Sequence, residues 1–345
     1  MKKILALMLA AFMAVGSVAG CSAAAGKASK ENKKMKIVTT IFPEYDWVMN
    51  VLGDKASDAD VTMLLNKGVD LHSFKPSTED IMKVSSCDLF IYVGGESDKW
   101  VDGVLKEAIN KDMITINLMK TLGDSVKEEE VVEGMQEDHD HDHEHDEDHD
   151  DDHEEHDHDH EHEHDEVEYD EHVWLSLRNA SSIVNSISEA IQKIDAKNAE
   201  TYKKNAEAYI GKLNALDGDY KKAVEAASLK TILFGDRFPF RYMADDYGLK
   251  YYAAFVGCSA ETEASFETIV FLSKKVDELK LPAVLTIEGK DHRIAKTIVD
   301  STQNKDQKIL TLDSMQSTTM EEVKSGTTYL KIMESNLSVL KEALK

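Results

Sequence analysis

Cysteine is nearly absent, with three residues in 345. A disulfide framework is therefore excluded as the source of the fold. Cys21 lies in an apolar leader. Cys87 and Cys258 fall in different halves of the chain, and nothing in the sequence brings them together. Cys87, inside Ser86-Cys87-Asp88-Leu89-Phe90, reads as a small buried thiol. No apolar run reaches the roughly 20 residues of a membrane-spanning helix. Positive charge is also short. Forty Lys and Arg against 66 Asp and Glu leave a formal charge of −26, which argues against nucleic acid and for cations as ligands. Outside one low-complexity tract there is no His-Glu-x-x-His and no placed general base, so a zinc hydrolase is a poor reading and no enzyme activity is expected.

That tract is the strongest positive signal. Asp138 to Glu166 is 29 residues of His, Asp and Glu only, with 11 histidines, 18 carboxylates and no Lys or Arg. Such a segment has no apolar surface to offset the entropy of ordering. It is expected to be a disordered loop, not a domain. An acidic run alone would read as a solvated spacer. The interleaved His139, His141, His143, His145, His149, His153, His156, His158, His160, His162 and His164 turn that reading toward metal, because imidazole and carboxylate suit zinc and its neighbours.

The amino terminus indicates where metal is met. Met1-Lys2-Lys3 precedes an apolar run, Ile4 to Val18, which ends in Val18-Ala19-Gly20-Cys21. This is the pattern of a signal peptide, residues 1–21, and the last four residues resemble the bacterial lipobox, which implies lipidation at Cys21. Residues 22–35 read as a polar tether. The expected location is the outer face of the cytoplasmic membrane, held by lipid. Without leader and tract about 295 residues and a charge of about −8 remain, enough for two modest domains.

Strand and helix patterns alternate twice. Strands are expected at Lys36–Ile41, Asp60–Leu65, Leu89–Val93 and Met113–Asn117, then at Thr231–Phe234, Tyr251–Val256, Ala283–Ile287 and Lys308–Leu312. Helices fall between them. The fold class is α/β, with two lobes, each a parallel sheet flanked by helices. Each half also places a Phe-Pro after its first strand, at Phe42-Pro43 and Phe238-Pro239. Apolar residues at 199, 202, 206, 209, 213, 216, 220, 223 and 227 step by three and four, which predicts one long spine helix joining the lobes. The boundaries read 36–195 for the N-terminal lobe, 196–227 for the linker helix and 228–345 for the C-terminal lobe.

Only His72, His172 and His292 lie outside the tract. His72 follows the second strand, His172 stands where the chain leaves the tract, and His292 reads as an exposed residue at a helix start. Binding sites in parallel sheets form at the carboxyl ends of strands. Asp236 follows the first strand of the second half, and Asp313 follows the last. Two such loops come from each lobe, so all four suit one cleft.

At these residues a resemblance becomes specific. Asp70-Leu71-His72-Ser73-Phe74-Lys75-Pro76 and Asp170-Glu171-His172-Val173-Trp174-Leu175 resemble the first two ligand loops of the zinc- and manganese-binding lipoproteins of ABC transporters, the cluster A-I solute-binding proteins. In that family the loops read roughly Asp-Pro-His-Ser-Tyr-Glu-Pro and Asp-Pro-His-Val-Trp-Leu. The resemblance runs from about Lys36 to the carboxyl terminus. An acidic histidine tract before the second loop, and a helix between lobes, resemble the zinc-specific members.

The resemblance implies capture of a divalent ion, zinc ahead of manganese, for delivery to the membrane permease of an ABC importer, by a monomeric, lipid-anchored receptor. It implies His72, His172 and Asp313 as ligands. The family's third ligand loop carries His or Glu where this chain has Gly235, so the third ligand is open. Asp236 is the first candidate, and Glu261, Glu263 and Cys258 of Gly257-Cys258-Ser259-Ala260-Glu261-Thr262-Glu263 are the alternatives. Asp236 pairing with Arg237 or Arg241 is the competing structural reading, and Glu171 is expected to orient His172. A surface storage or adhesin lipoprotein, with the tract as its working part, is the rival function.

Overall fold

Parallel pairing organises both halves of the chain. The computed structural model describes residues 34–136, 168–259, 263–289 and 291–345. In the first half, β1 (Met35–Thr39), β2 (Ala59–Met63), β3 (Leu89–Tyr92) and β4 (Ile114–Asn117) form one sheet in the order β2-β1-β3-β4. In the second, β5 (Thr231–Phe238), β6 (Lys250–Val256), β7 (Ala283–Thr286) and β8 (Lys308–Thr311) form another in the order β6-β5-β7-β8. Every pair in both sheets is parallel. All four residues of β3 and of β7 are buried, as expected of strands covered on both faces. Both sheets reverse strand order beside their first strand, which is where open α/β sheets bind ligands.

Helices cover these sheets. In the first half they are α1 (Phe42–Leu52), α2 (Thr78–Ser86), α3 (Trp100–Lys106), α4 (Leu118–Leu122) and α5 (Leu177–Ile194). Then come α6 (Ala199–Ala226), α7 (Arg241–Tyr247), α8 (Phe266–Leu279), α9 (Arg293–Ser301), α10 (Met320–Lys324) and α11 (Tyr329–Ala343). Caps explain several starts. Ser77 Oγ accepts from Asp80 N while the Asp80 carboxylate accepts from Ser77 N, a reciprocal box that opens α2. Among the described residues no helix is long and apolar enough to cross a membrane.

The long α6 packs on α1 and α5 of the first half and on α7 and α11 of the second. Its stripe of Ala and Tyr suits this role, because each buried tyrosine carries its hydroxyl to an acceptor. Tyr202 donates to Asp195 (2.7 Å), Tyr209 to Asp46 (3.0 Å) and Tyr220 to the Met333 carbonyl (2.7 Å). Trp47 of α1 meets Tyr329 of α11 edge-on at 5.2 Å, so apolar packing also joins the halves directly.

A strap, residues 126–136, leaves the first half and lies on the second. Lys127 N donates to the Tyr242 hydroxyl (3.1 Å), Glu130 pairs with Arg241 (2.9 Å), and Gln136 N donates to the Ala254 carbonyl (2.9 Å). Glu128 forms an antiparallel bridge with Tyr169, where the chain returns. The signal peptide with Cys21, the eleven tract histidines and Glu261 lie outside the described residues.

Candidate metal centre

His72 sits in a short 3-10 turn, Leu71–Ser73, that follows β2. Asp70 caps the turn, its Oδ1 accepting from His72 N (2.9 Å), and buried Leu71 fixes it to the core. The His72 ring turns Nδ1 toward Ser97 Oγ (2.9 Å) and Glu171 Oε2 (3.5 Å). Burial and the facing His172 ring push His72 down to about 3, so it is a neutral, ligand-ready imidazole.

His172 is fully buried and opens the turn Val173–Leu175. Asp170 Oδ1 accepts both from its backbone N–H (2.8 Å) and from Nδ1 (2.9 Å). A carboxylate on Nδ1 fixes the proton there and leaves the Nε2 lone pair forward. The second half holds this loop in place. Tyr242 donates to the Asp170 carbonyl (2.7 Å), Tyr329 to the Trp174 carbonyl (2.7 Å), and Trp174 Nε1 to the Ser314 carbonyl (2.9 Å).

These supports bring His72 Nε2 and His172 Nε2 to 3.2 Å. A tetrahedral zinc with Zn–N near 2.0 Å needs adjacent ligands about 3.3 Å apart. The two Nε2 atoms therefore face each other across a gap that one cation could bridge.

Cys258 completes the cluster from the other half. It follows β6, and its N–H donates to Glu129 Oε1 of the strap (3.1 Å). The Cys258 sulfur and one ring nitrogen of each histidine lie within 4.8 Å of one another. Gly257 permits this approach. A Cβ there would stand 3.1 Å from His172 Cε1 and Nδ1, and 2.9 Å from the Phe238 carbonyl oxygen. Burial, then the carboxylates of Glu129, Asp170 and Glu171, pushes the Cys258 thiol up. A divalent ion reverses that balance, because coordination deprotonates the thiol while the carboxylates become favourable neighbours.

Two expected ligands lie elsewhere in the structure. Neither Asp236 nor Asp313 joins this cluster. The segment Gly235-Asp236-Arg237-Phe238 is not a loop but the end of β5, with a register irregularity between Phe234 and Arg237. Asp236 accepts from Arg237 N (2.9 Å) and Ile287 N (3.4 Å), and burial pushes its carboxyl up. Gly235 is a packing residue, since a Cβ there would lie 2.4 Å from Ala295 Cα in α9. Asp313 accepts from Met315 N (2.8 Å). Burial and neighbouring Glu288 push its carboxyl up to about 7. Glu263 is exposed and outside the cluster, and half-buried His292 caps α9. The pairing suggested for Asp236 with Arg237 or Arg241 is also different. Arg237 pairs with Asp70 and Arg241 with Glu130.

Three contributors carried no sequence signal of their own. Ser97 and Gly257 are ordinary in sequence and acquire meaning only from contacts with the histidines. Arg237 reaches across the cleft to Asp70. Burial works against the Asp70 charge, but Arg237 and His72 outweigh it and hold that carboxyl below its usual range.

Known proteins share this architecture. The family described as zinc-uptake complex component A, periplasmic, matches residues 37–343. The high-affinity zinc uptake system protein ZnuA of Bacillus subtilis is 30% identical over 337 residues, covering 98% of this chain and 96% of its own. The zinc-binding protein AdcA of Streptococcus pyogenes is 30% identical over 308 residues, and the match covers 89% of this chain but 56% of that longer protein. Among solved structures, the Zn(II)-bound ZnuA-like domain of Streptococcus pneumoniae AdcA superposes with a TM-score of 0.66 at 28% identity, covering 90% of this chain and 99% of that domain. The chain belongs to the family of periplasmic A components of zinc-uptake complexes.

Proposed function

We propose that this protein captures zinc outside the cytoplasm and delivers it to the membrane permease of an ABC importer. The observation that carries the reading is the convergence of two imidazole nitrogens and one thiol from three loops, two in the first half and one in the second. Two neutral imidazoles and a thiolate form a borderline-soft set that suits zinc and disfavours manganese, which prefers oxygen. The names of the relatives, zinc-binding and zinc-uptake proteins, support the same ion. The family is one of metal-binding transport proteins, not of enzymes, and we take this member to be non-catalytic. His72, His172 and Cys258 are the protein ligands in this reading, with Asp170, Ser97 and Glu171 orienting the rings.

Cys21 would carry the lipid, and residues 22–35 would form the tether. The lobes would span 36–195 and 228–345 with 196–227 between them, and the receptor would act as a monomer. The tract, which in sequence lies between the strap and the His172 loop, would raise the local zinc concentration. Chelator competition tests the reading. One tight site per chain should survive deletion of 138–166, whereas His72→Ala, His172→Ala and Cys258→Ala should each weaken zinc binding by about tenfold or more. A storage protein would instead lose nearly all binding with the tract.

A further inference from the structure

We propose that Glu129 of the strap positions Cys258 at the zinc site, so that the strap belongs to the metal centre as well as to the scaffold. The inference rests on the zinc-capture reading, in which Cys258 is the ligand supplied by the second half.

Glu129 is held by a short ribbon. Residues 127–129 of the strap run beside residues 168–170, the segment that leads into His172. Glu129 N donates to the Glu168 carbonyl (2.9 Å), Asp170 N donates to the Lys127 carbonyl (2.9 Å), and Glu128 bridges Tyr169 between them. Tyr242 of α7 joins both sides of the ribbon, accepting from Lys127 N (3.1 Å) and donating to the Asp170 carbonyl (2.7 Å). Ion pairs tie down the neighbours of Glu129, Lys127 to Asp245 (2.8 Å) and Glu130 to Arg241 (2.9 Å). From this fixed backbone the half-buried Glu129 side chain reaches the second half, where its Oε1 accepts from Cys258 N (3.1 Å).

One ribbon therefore serves two ligands. It holds His172 through Asp170, and it holds Cys258 through Glu129. A hydrogen bond to the backbone N–H of Cys258 fixes where the side chain starts, and hence where the sulfur can reach. Cys258 needs such outside support, because the chain arrives from β6 through Gly257, which has no side chain to anchor it and a permissive backbone. The same device recurs at each donor. Asp170 stands behind His172 (2.9 Å), Glu171 behind His72 (3.5 Å) and Glu129 behind Cys258. Carboxylates placed in this way orient metal ligands. Glu129 is a positioning residue, since it acts through Cys258.

Cobalt(II) substitution of the full chain tests this. A sulfur-to-cobalt charge-transfer band reports only a site containing Cys258, because the tract has no sulfur. Zinc affinity is read by displacing that band. Two substitutions separate reach from charge. Glu129→Gln keeps an oxygen at the same reach without the charge, and should retain the band and bind zinc within about threefold of wild type. Glu129→Asp keeps the charge but draws the oxygen back by a methylene, and should weaken the band and bind zinc about tenfold more weakly. In a Cys258→Ala background, read by chelator competition, Glu129→Asp should cost nothing further. Loss of the band in Glu129→Gln would overturn positioning by this hydrogen bond, whatever Glu129→Asp does. Wild-type bands and affinity in both variants, or equal losses in Glu129→Asp with and without Cys258, would overturn the proposal and leave zinc capture intact. Absence of the sulfur band in wild type would instead overturn the three-ligand reading beneath it.

Discussion

Glu44→Gln should raise stability at alkaline pH and leave it nearly unchanged in acid. Glu44 lies in the first turn of α1 and is fully buried. Its Oε2 accepts from Thr40 N (2.8 Å), Thr40 Oγ1 (3.1 Å) and Ile41 N (3.3 Å), while neither its Oε1 nor Asp98 Oδ1 has a hydrogen-bond partner among the described residues. Burial, then the Asp98 charge, pushes Glu44 from 4.5 up to about 8. Burial, with Glu171 adding to it, pushes Asp98 up to about 6. A raised carboxyl pKa means the folded state binds the proton more tightly than the unfolded chain. Its contribution is therefore fully present below pH 4.5 and is lost as pH rises through about 8. At about 1.4 kcal/mol per pH unit, that window carries at most about 5 kcal/mol. Glutamine resembles the protonated acid in shape. It keeps an oxygen for the three donors, puts no second charge near Asp98, and does not titrate. Urea unfolding of the metal-free protein should show a gain of about 2 kcal/mol or more at pH 9 and little change at pH 4.5, with a flatter profile between. Equal effects at both pH values, or a loss at pH 9, would refute the reasoning.

Three further outcomes are expected. Gly257→Ala would drive a methyl against the His172 ring and the Phe238 carbonyl. It should cost about 1–3 kcal/mol by urea unfolding and weaken zinc binding in chelator competition. Tyr329→Phe removes the donor to the Trp174 carbonyl. Thermal unfolding should register a loss of about 1–3 kcal/mol, since a buried acceptor is left unpaired. Cys21→Ala should move the protein from the membrane fraction to the soluble or secreted one, and an unchanged fraction would point to a different anchor.

Much of the scaffold could be read from the chain because its signals are local. The alternation of strand and helix marked both parallel sheets, and the spacing of three and four marked α6. His72 and His172 stood out because their flanking residues, Asp70 and Asp170 among them, act within two positions of each ring. The third donor was harder. Asp236 looked plausible because strand β5 was expected to stop at Phe234, freeing a loop. Pairing with β6 instead carries β5 on to Phe238, and its bulge seats Gly235 against Ala295, 60 residues away in sequence. No local pattern reports such packing. Cys258 arrives on the neighbouring strand through a glycine whose importance lies in its closeness to His172. Asp313 was chosen for its place after the last strand, but the turn that follows folds inward around Glu288. That turn takes Asp313 to Met315 N.

The central claim is a zinc site built from His72, His172 and Cys258. X-ray absorption at the zinc edge, on the full chain loaded with one equivalent, measures it most directly. One sulfur at about 2.3 Å and two imidazole nitrogens at about 2.0–2.1 Å are predicted, with the sulfur lost in Cys258→Ala. A shell of nitrogen and oxygen alone in the wild-type protein would contradict the account.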